Sequence, residues 1–331
     1  MAKILLIRFS SIGDIVLTTP VIRILHNSGH KVVFLTKEKY APVIIHNPYI
    51  DTVITIKSKV SEVAQVLKNQ NIDYIIDLHR NLRSLQVKWL LKKGFSSFHK
   101  LNFKKWMLVV FKWNFLPEKH IVDRYLYAAH KFYSENDYKG LDYFSGLHEL
   151  PKLMNEVNFK TDKYVVLALG GQHKTKQLPI GKLMEICDKL VFPVVLLGGK
   201  EDAESSSQIS HLSINNNVLD LCGKTSINES AEIISECAAI ITHDTGMMHI
   251  AAAYKRNIVS VWGNTVPEFG MYPYLPNEYS QRSVIIENKQ VKCRPCSKIG
   301  YDRCPKGHFH CMEYIDTDDI VAAVQQFVVG F

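Results

Sequence analysis

Lys3-Ile-Leu-Leu-Ile-Arg-Phe-Ser-Ser-Ile-Gly-Asp-Ile-Val-Leu-Thr-Thr-Pro20 is the stretch that decides the fold. Its apolar run, Ile4 to Ile7, reads as a buried strand. The run breaks at Ser10-Ser11-Ile12-Gly13-Asp14, and an apolar pattern of helical period follows at once. Parallel sheets place their chemistry at such strand–loop–helix corners. This corner carries two hydroxyls, a glycine and a carboxylate. The carboxylate can cap the helix or take a proton from a substrate.

The same alternation continues outward. Strands are predicted at 3–8, 31–35, 52–55 and 74–78, and helices at 14–27, 41–46, 61–69 and 83–93. Alternating strands and helices argue for a parallel α/β sheet. Pro20 should kink the first helix or start its regular part. The stretch 138–159 has no clear period, so a domain boundary is drawn there, dividing the chain into residues 1–155 and 156–331. The second half repeats the pattern. Strands at 164–169, 193–197, 239–242 and 258–262 end respectively in Gly170-Gly171, Gly198-Gly199, His243-Asp244-Thr245-Gly246 and Gly263. These read as a second nucleotide-type α/β domain, closed by a helix over 316–329 whose acidic start suits the helix dipole.

At 331 residues, 47% hydrophobic and 22% charged, the chain has room for two globular domains. No apolar run spans a bilayer, and Arg8 interrupts an N-terminal run too short for a signal peptide, so a cytoplasmic protein is expected. The net charge of +8 is concentrated: residues 78–117 hold nine basic residues and no acidic one. Trp89, Trp106 and Trp113 lie in the same window. Lysines interleaved with Trp and Phe suit an anionic membrane surface or amphiphile. A solvated basic face over an aromatic core helix ranks second, and nucleic acid last.

Asp244-Thr245-Gly246-Met247-Met248-His249 follows a strand and opens an apolar helix. Free N–H groups at a helix start bind anions, Gly246 allows close approach, and Thr245 and His249 can add donors. The same residues also fit an Asp cap with a core-facing His. Lys176, in the polar loop after the preceding strand, favours a diphosphate clamp on a shared crevice. Glu204, on the rim after Gly198-Gly199, suits ribose hydroxyls. No G-x-G-x-x-G follows the first strand and no Walker A loop is present.

The run 3–20 resembles the N-terminal signature of family 9 glycosyltransferases, the heptosyltransferases of lipopolysaccharide core synthesis. Residues 244–253, the Lys176-Gln177-Leu178-Pro179 element, Asp77-Leu78-His79 with Arg83-Ser84, and the glycine pair at 198–199 resemble further family elements in family order, with Leu178 where an aromatic is common. The resemblance implies an α/β GT-B fold of two Rossmann-like domains whose parallel sheets face a central cleft, the first binding acceptor and the second nucleotide-sugar. It implies inverting transfer from a nucleotide-diphospho-sugar, ADP-heptose in that family, to an anionic glycolipid at the inner membrane face. Asp14 matches the family's general base, with Ser11 and Gly13 as loop neighbours. Lys176, Thr245, Gly246 and His249 match donor-diphosphate positions, and Asp244 lies beside them. Arg80, Arg83 and Arg124 are the candidates for meeting the acidic acceptor. No catalytic cofactor and no nucleic-acid partner are expected.

Cys293, Cys296, Cys304 and Cys311 form a compact cluster that fits a structural zinc, or reduced thiols packing a loop. Two other functions stay open at this point: a sugar-nucleotide epimerase, since those share the GT-B architecture, and a non-catalytic membrane or nucleic-acid binder.

Overall fold

The computed structural model describes residues 1–156, 163–215 and 217–330. The chain forms two compact units, Met1–Lys100 with Lys119–Gly146, and Leu101–Glu118 with Leu147–Phe331. This differs from a single division after residue 155 in two ways. The first unit ends at Gly146, and a segment from the middle of the first half groups with the second unit. That segment's packing explains its assignment. Leu108 is buried with Val266 and Phe269, and the Lys105 ammonium lies 5.2 Å from the Phe269 ring centroid. Lys112 Nζ donates to the carbonyls of Val109, Cys293 and Pro295 at 2.7–2.9 Å.

The first unit is built on strands β1 (Lys3–Ile7), β2 (Lys31–Lys37), β3 (Thr52–Ile56), β4 (Tyr74–Asp77) and β5 (Gly94–Ser97). They form one parallel sheet in the order β3-β2-β1-β4-β5. Ile4 to Ile7 are wholly buried because a parallel sheet is covered on both faces by its crossovers. The helices are α1 (Ile12–Val16), α2 (Thr19–Asn27), α3 (Ala64–Asn69) and α4 (Leu82–Leu91). The next in the chain, α5 (Asn102–Phe111), belongs to the second unit, and α6 (Ile121–Ala129) returns to the first. The predicted helix over 14–27 is two helices, and Pro20 sits in the first turn of α2, where its missing N–H costs nothing. The helix predicted at 41–46 is a 3-10 segment, Glu38–Val43, with Pro42 inside it.

The second unit carries β6 (Val165–Ala168), β7 (Val194–Leu197), β8 (Val218–Asp220), β9 (Ala239–His243), β10 (Asn257–Trp262) and β11 (Ser283–Glu287). Its parallel sheet runs β11-β10-β9-β6-β7-β8. Its helices are α7 (Ile180–Lys189), α8 (Ala203–Leu212), α9 (Ile227–Glu236), α10 (Gly246–Ala253), α11 (His310–Glu313) and α12 (Thr317–Val329). Val165, Leu167, Val194, Leu196, Ile241, Val259 and Val261 build the core with Leu183, Ile186, Ile320 and Val324 from α7 and α12.

Each sheet has one point where successive crossovers leave in opposite directions, between β1 and β4 in the first and between β6 and β9 in the second. Ligands of open parallel sheets bind beyond the carboxyl ends of the strands at such a point. The Asp14 loop follows β1, and the Lys176 and Asp244 loops follow β6 and β9.

Arg23, buried on α2, ties down the tail of the first unit. Its Nε and Nη2 hold both Asp137 oxygens at 2.7 and 2.9 Å, Nη2 also donates to the Gly140 carbonyl, and Nη1 meets Asp142. Burial raises the Asp137 carboxyl, but Arg23, helped by the Lys139 amide, outweighs it and holds the group below its ordinary value. Arg23→Met should cost the first unit about 3 kcal/mol, because the carboxylates keep their desolvation and lose their cation. A carboxyl with a lowered folded pKa stabilises above its unfolded pKa and loses that contribution as pH falls through the folded one. Urea unfolding should therefore give a gap between wild type and Arg23→Met that is full above about pH 4 and closes in acid. A gap independent of pH would contradict the ion-pair account.

Candidate functional site

The first unit's site begins with Arg8, one residue beyond β1. The register pairs Ile7 with Asp77, so the ends of β1 and β4 lie side by side. Arg8 Nη2 reaches Asp14 Oδ2 at 2.7 Å, Nε donates to the Ser10 carbonyl, and Nη1 donates to the Leu78 carbonyl and the Tyr125 hydroxyl. Ser11 donates to the same Asp14 Oδ2 through its amide at 3.2 Å and its hydroxyl at 3.0 Å. All three bonds to Asp14 converge on one oxygen, and Oδ1 is left available. Burial raises the Asp14 carboxyl, yet the Arg8 charge and the Ser11 hydrogen bonds prevail and hold it below the ordinary carboxylate range. The residue both caps α1 and stands at the switch point, so the two sequence alternatives are not exclusive. Ser11 is spent on Asp14, and Gly13 is buried within α1.

Around this carboxylate stand groups to which the sequence reading gave no role. Burial, followed by the Arg8 and Lys100 charges, pushes the His79 imidazole down to about 3, so it is neutral at physiological pH. Its Nδ1 is buried without a hydrogen-bond partner, and its ring meets Phe9 edge-on at 5.3 Å. Burial and the neighbouring Arg8 and Arg80 charges lower the Lys100 ammonium against Asp77 and Asp14, which raise it. Asp77 Oδ1 accepts from the His79 and Arg80 amides at 2.8 and 2.7 Å, fixing the turn after β4. Of the arginines chosen from sequence, Arg80 lies in this field. It is exposed, and its Nη1 donates to the Phe98 carbonyl. Arg83 donates to the Ser58 carbonyl from α4, and Arg124 is buried on α6 with Nη1 on the His99 carbonyl. The signal for Arg8 was in the sequence: a lone charge at the end of a fully buried strand needs a partner.

In the second unit, Lys176 Nζ pairs with Asp244 Oδ2 at 2.6 Å and lies 3.3 Å from the Asp244 carbonyl. Thr265, beyond β10, donates to the same Asp244 oxygen at 3.0 Å. The ammonium is thus fixed just before α10. Thr245 occupies the cap position of α10 without capping it, and its hydroxyl lies 3.3 Å from Thr242 Oγ1. The first amides of α10 are left to meet an anion. A Cβ on Gly171 would lie 3.3 Å from the Thr245 methyl, so the loops after β6 and β9 converge here. His249 is buried on α10. His243 is also buried, which pushes its imidazole down to about 4, and its Nε2 accepts from the Leu178 amide. Glu204 is exposed in the first turn of α8. Asp202, which the sequence reading passed over, is instead buried against the glycine pairs, accepting from the Gly199 amide at 2.9 Å. Burial raises its carboxyl.

Of the two readings of the four cysteines at 293–311, the side chains are arranged as reduced thiols and not as a zinc tetrad. Among the described residues no three His, Cys, Asp or Glu side chains group to hold a metal ion, and all four thiols are free. Cys311 belongs to the hydrophobic core of the second unit, where burial pushes its thiol up to about 12, while Cys293, Cys296 and Cys304 are half-buried in the loop before α11. Cys293 Sγ lies 3.8 Å from His308 Nε2. The cysteine-rich segment instead braces the Lys176 loop. The Thr175 amide and hydroxyl both donate to the Tyr301 carbonyl at 3.0 Å, and the Tyr301 amide donates back to the Thr175 hydroxyl at 2.8 Å. Gly300, at φ +127°, packs so closely that a Cβ there would fall 2.5 Å from that of His173.

The family model "Glycosyltransferase family 9 (heptosyltransferase)" matches residues 60–303. Lipooligosaccharide heptosyltransferase 2 of Haemophilus influenzae is 32% identical over a stretch covering 36% of this chain and 34% of that one. Lipooligosaccharide heptosyltransferase 2 of Campylobacter jejuni is 23% identical over 94% of this chain and 93% of that one. Among solved structures, the ADP-heptose lps heptosyltransferase II of E. coli superposes with a TM-score of 0.73, at 18% identity, covering 99% of this chain and 98% of that one. The fold is that of the GT-B heptosyltransferases.

If Arg8 is what holds the Asp14 carboxyl down, Arg8→Met should leave burial to dominate. The carboxyl should then titrate upward, to or above the ordinary value near 3.9. Carboxyl carbon chemical shifts followed against pH read this directly, and an unmoved titration would refute the assignment.

Proposed function

We propose heptosyl transfer for this chain, which belongs to glycosyltransferase family 9: it moves a heptose from ADP-heptose, with inversion, to an anionic lipopolysaccharide-core glycolipid at the cytoplasmic membrane face. That it is a glycosyltransferase follows from the family. The donor, acceptor and stereochemistry are our reading, supported by the relatives named above. One observation carries it. Asp14 stands at the switch point of the first sheet with one oxygen saturated by Arg8 and Ser11 and the other available.

In this reading Asp14 Oδ1 receives the proton of the attacking acceptor hydroxyl. The hydroxyl oxygen bonds to the anomeric carbon as the bond from that carbon to the diphosphate oxygen breaks. The transition state is oxocarbenium-like, by analogy with glycoside cleavage. An attacking hydroxyl becomes strongly acidic only as the new bond forms, so a carboxylate of low pKa suffices if proton transfer is late. Arg8, Lys100 and Arg80 supply the positive field for an acidic acceptor, and neutral His79 offers a ring nitrogen to its hydroxyls. Lys176 and the open amides of α10 stabilise the charge growing on the leaving ADP, with Asp244 and Thr265 orienting the ammonium. Glu204 or Asp202 serves the ribose. Turnover by this route needs no metal and should survive chelation.

Asp14→Asn should lower kcat by roughly 10²- to 10⁴-fold while ADP affinity is kept. Lys176→Ala should weaken ADP binding by roughly tenfold to a hundredfold. Calorimetry with ADP and a transfer assay separate the two effects. Near-normal kcat in Asp14→Asn would end the base assignment. Because the Asp14 pKa is lowered, the acid limb of kcat/KM should lie below about pH 4 and move upward in Arg8→Met. A limb near neutrality would point to another base.

A further inference from the structure

Leu101–Glu118 carries an apolar surface on the unit that also carries the Lys176 loop. Helix α5 buries Leu108 and turns Phe103, Trp106, Val110 and Phe111 outward, and the following stretch exposes Trp113 and Phe115. These six side chains are between 42% and 71% exposed. The five rings form an unbroken chain, with successive centroids 5.3–6.5 Å apart. A run of large exposed rings marks an interaction surface. None of its own residues before Glu118 is acidic. Lys104 is exposed beside it, and Lys105 and Lys112 lie along its inner edge.

We infer that this segment is a docking surface for an anionic lipid bilayer, its rings entering the headgroup region and Lys104 meeting lipid phosphate. Charge and apolarity together select that occupant. Trp and Phe partition to the bilayer interface, and lysines draw such a surface to anionic lipid. A second copy apposed through the same face would set lysines against lysines, since a two-fold interface meets itself. Nucleic acid would need free ring faces for its bases. Here Phe103 stacks with Trp106, and Phe111 with Trp113, at interplanar angles of 27° and 28°. The inference draws on the transferase reading only for the lipid nature of the acceptor, and the surface argument stands without it. Its consequence is that the donor-binding unit itself carries the membrane contact.

The test uses the full chain and needs neither donor nor acceptor, so it can fail while the transferase reading stands, and the reverse. Vesicles of phosphatidylglycerol with phosphatidylethanolamine should sediment the protein and blue-shift its tryptophan emission. Phosphatidylcholine vesicles should do so at least tenfold less strongly. Trp106→Ser with Trp113→Ser should lower partitioning at least tenfold, and Lys104→Glu should lower it on anionic vesicles alone. Circular dichroism should show both variants folded, because the changed side chains are exposed. Wild-type binding to phosphatidylcholine equal to that on anionic lipid would overturn the inference. So would full vesicle binding by the tryptophan variant, a loss of dimer mass in that variant in place of a loss of lipid binding, or displacement of vesicles by an oligonucleotide.

Discussion

Both sheets are wholly parallel, and the rest of the molecule follows from that constraint. A parallel strand is returned to its sheet only by a crossover that covers one of its faces, so the middle of each sheet is closed to solvent on both sides. Open backbone ends, glycines and unspent helix amides collect where crossovers diverge. Arg8 and Asp14 stand at that place in one sheet, and Lys176 and Asp244 in the other. The chemistry is thus confined to a few residues at strand ends, while the strands are free to be almost purely aliphatic.

Each site answers its own charge. Arg8 neutralises Asp14, and Asp244 neutralises Lys176, so neither of these strand-end pairs leaves its partner's charge unanswered. In each pair the donors gather on one carboxylate oxygen. Three donors saturate one oxygen of Asp14 and spare its other. Asp244 accepts from both Lys176 and Thr265 and spends its charge on orienting an ammonium. In the reading proposed above, the first carboxylate takes a proton and the second positions an ammonium.

Much of this was legible in the sequence. The aliphatic runs at Ile4–Ile7 and Val165–Leu169 identified central strands, because only a doubly covered strand lacks polar alternation. The loops that follow them supplied the candidate site residues. Strands β5, β8 and β11 were missed because they lie at sheet edges, are half-buried, and are mixed in composition, so they carry neither a clean run nor a clean period. The window 78–117 was read as one feature. In the folded chain Trp89 stays with the first unit and Trp106 and Trp113 go to the second, a partition fixed by Val266 and Phe269 far along the chain. The cysteine spacing suggested a metal, but spacing does not reveal that Cys311 is claimed by a hydrophobic core. Lys100 was passed over, and His79 was quoted without a role, because their character comes from burial and then from Arg8, which meet them only in three dimensions.

The contact between Thr175 and Tyr301 has a thermodynamic reach beyond the two residues. A polar loop that must fold around a diphosphate ordinarily loses its freedom at the moment of binding, and affinity is diminished by that loss. Here the loss is taken during folding, when the cysteine-rich segment clasps the loop from behind through Thr175, Gly300 and His173. Residues around 300, which touch no ligand in the proposed reaction, therefore help to set how tightly the ligand is held. If the proposed reaction holds, divergence in that segment would tune nucleotide affinity without altering any group that contacts the nucleotide.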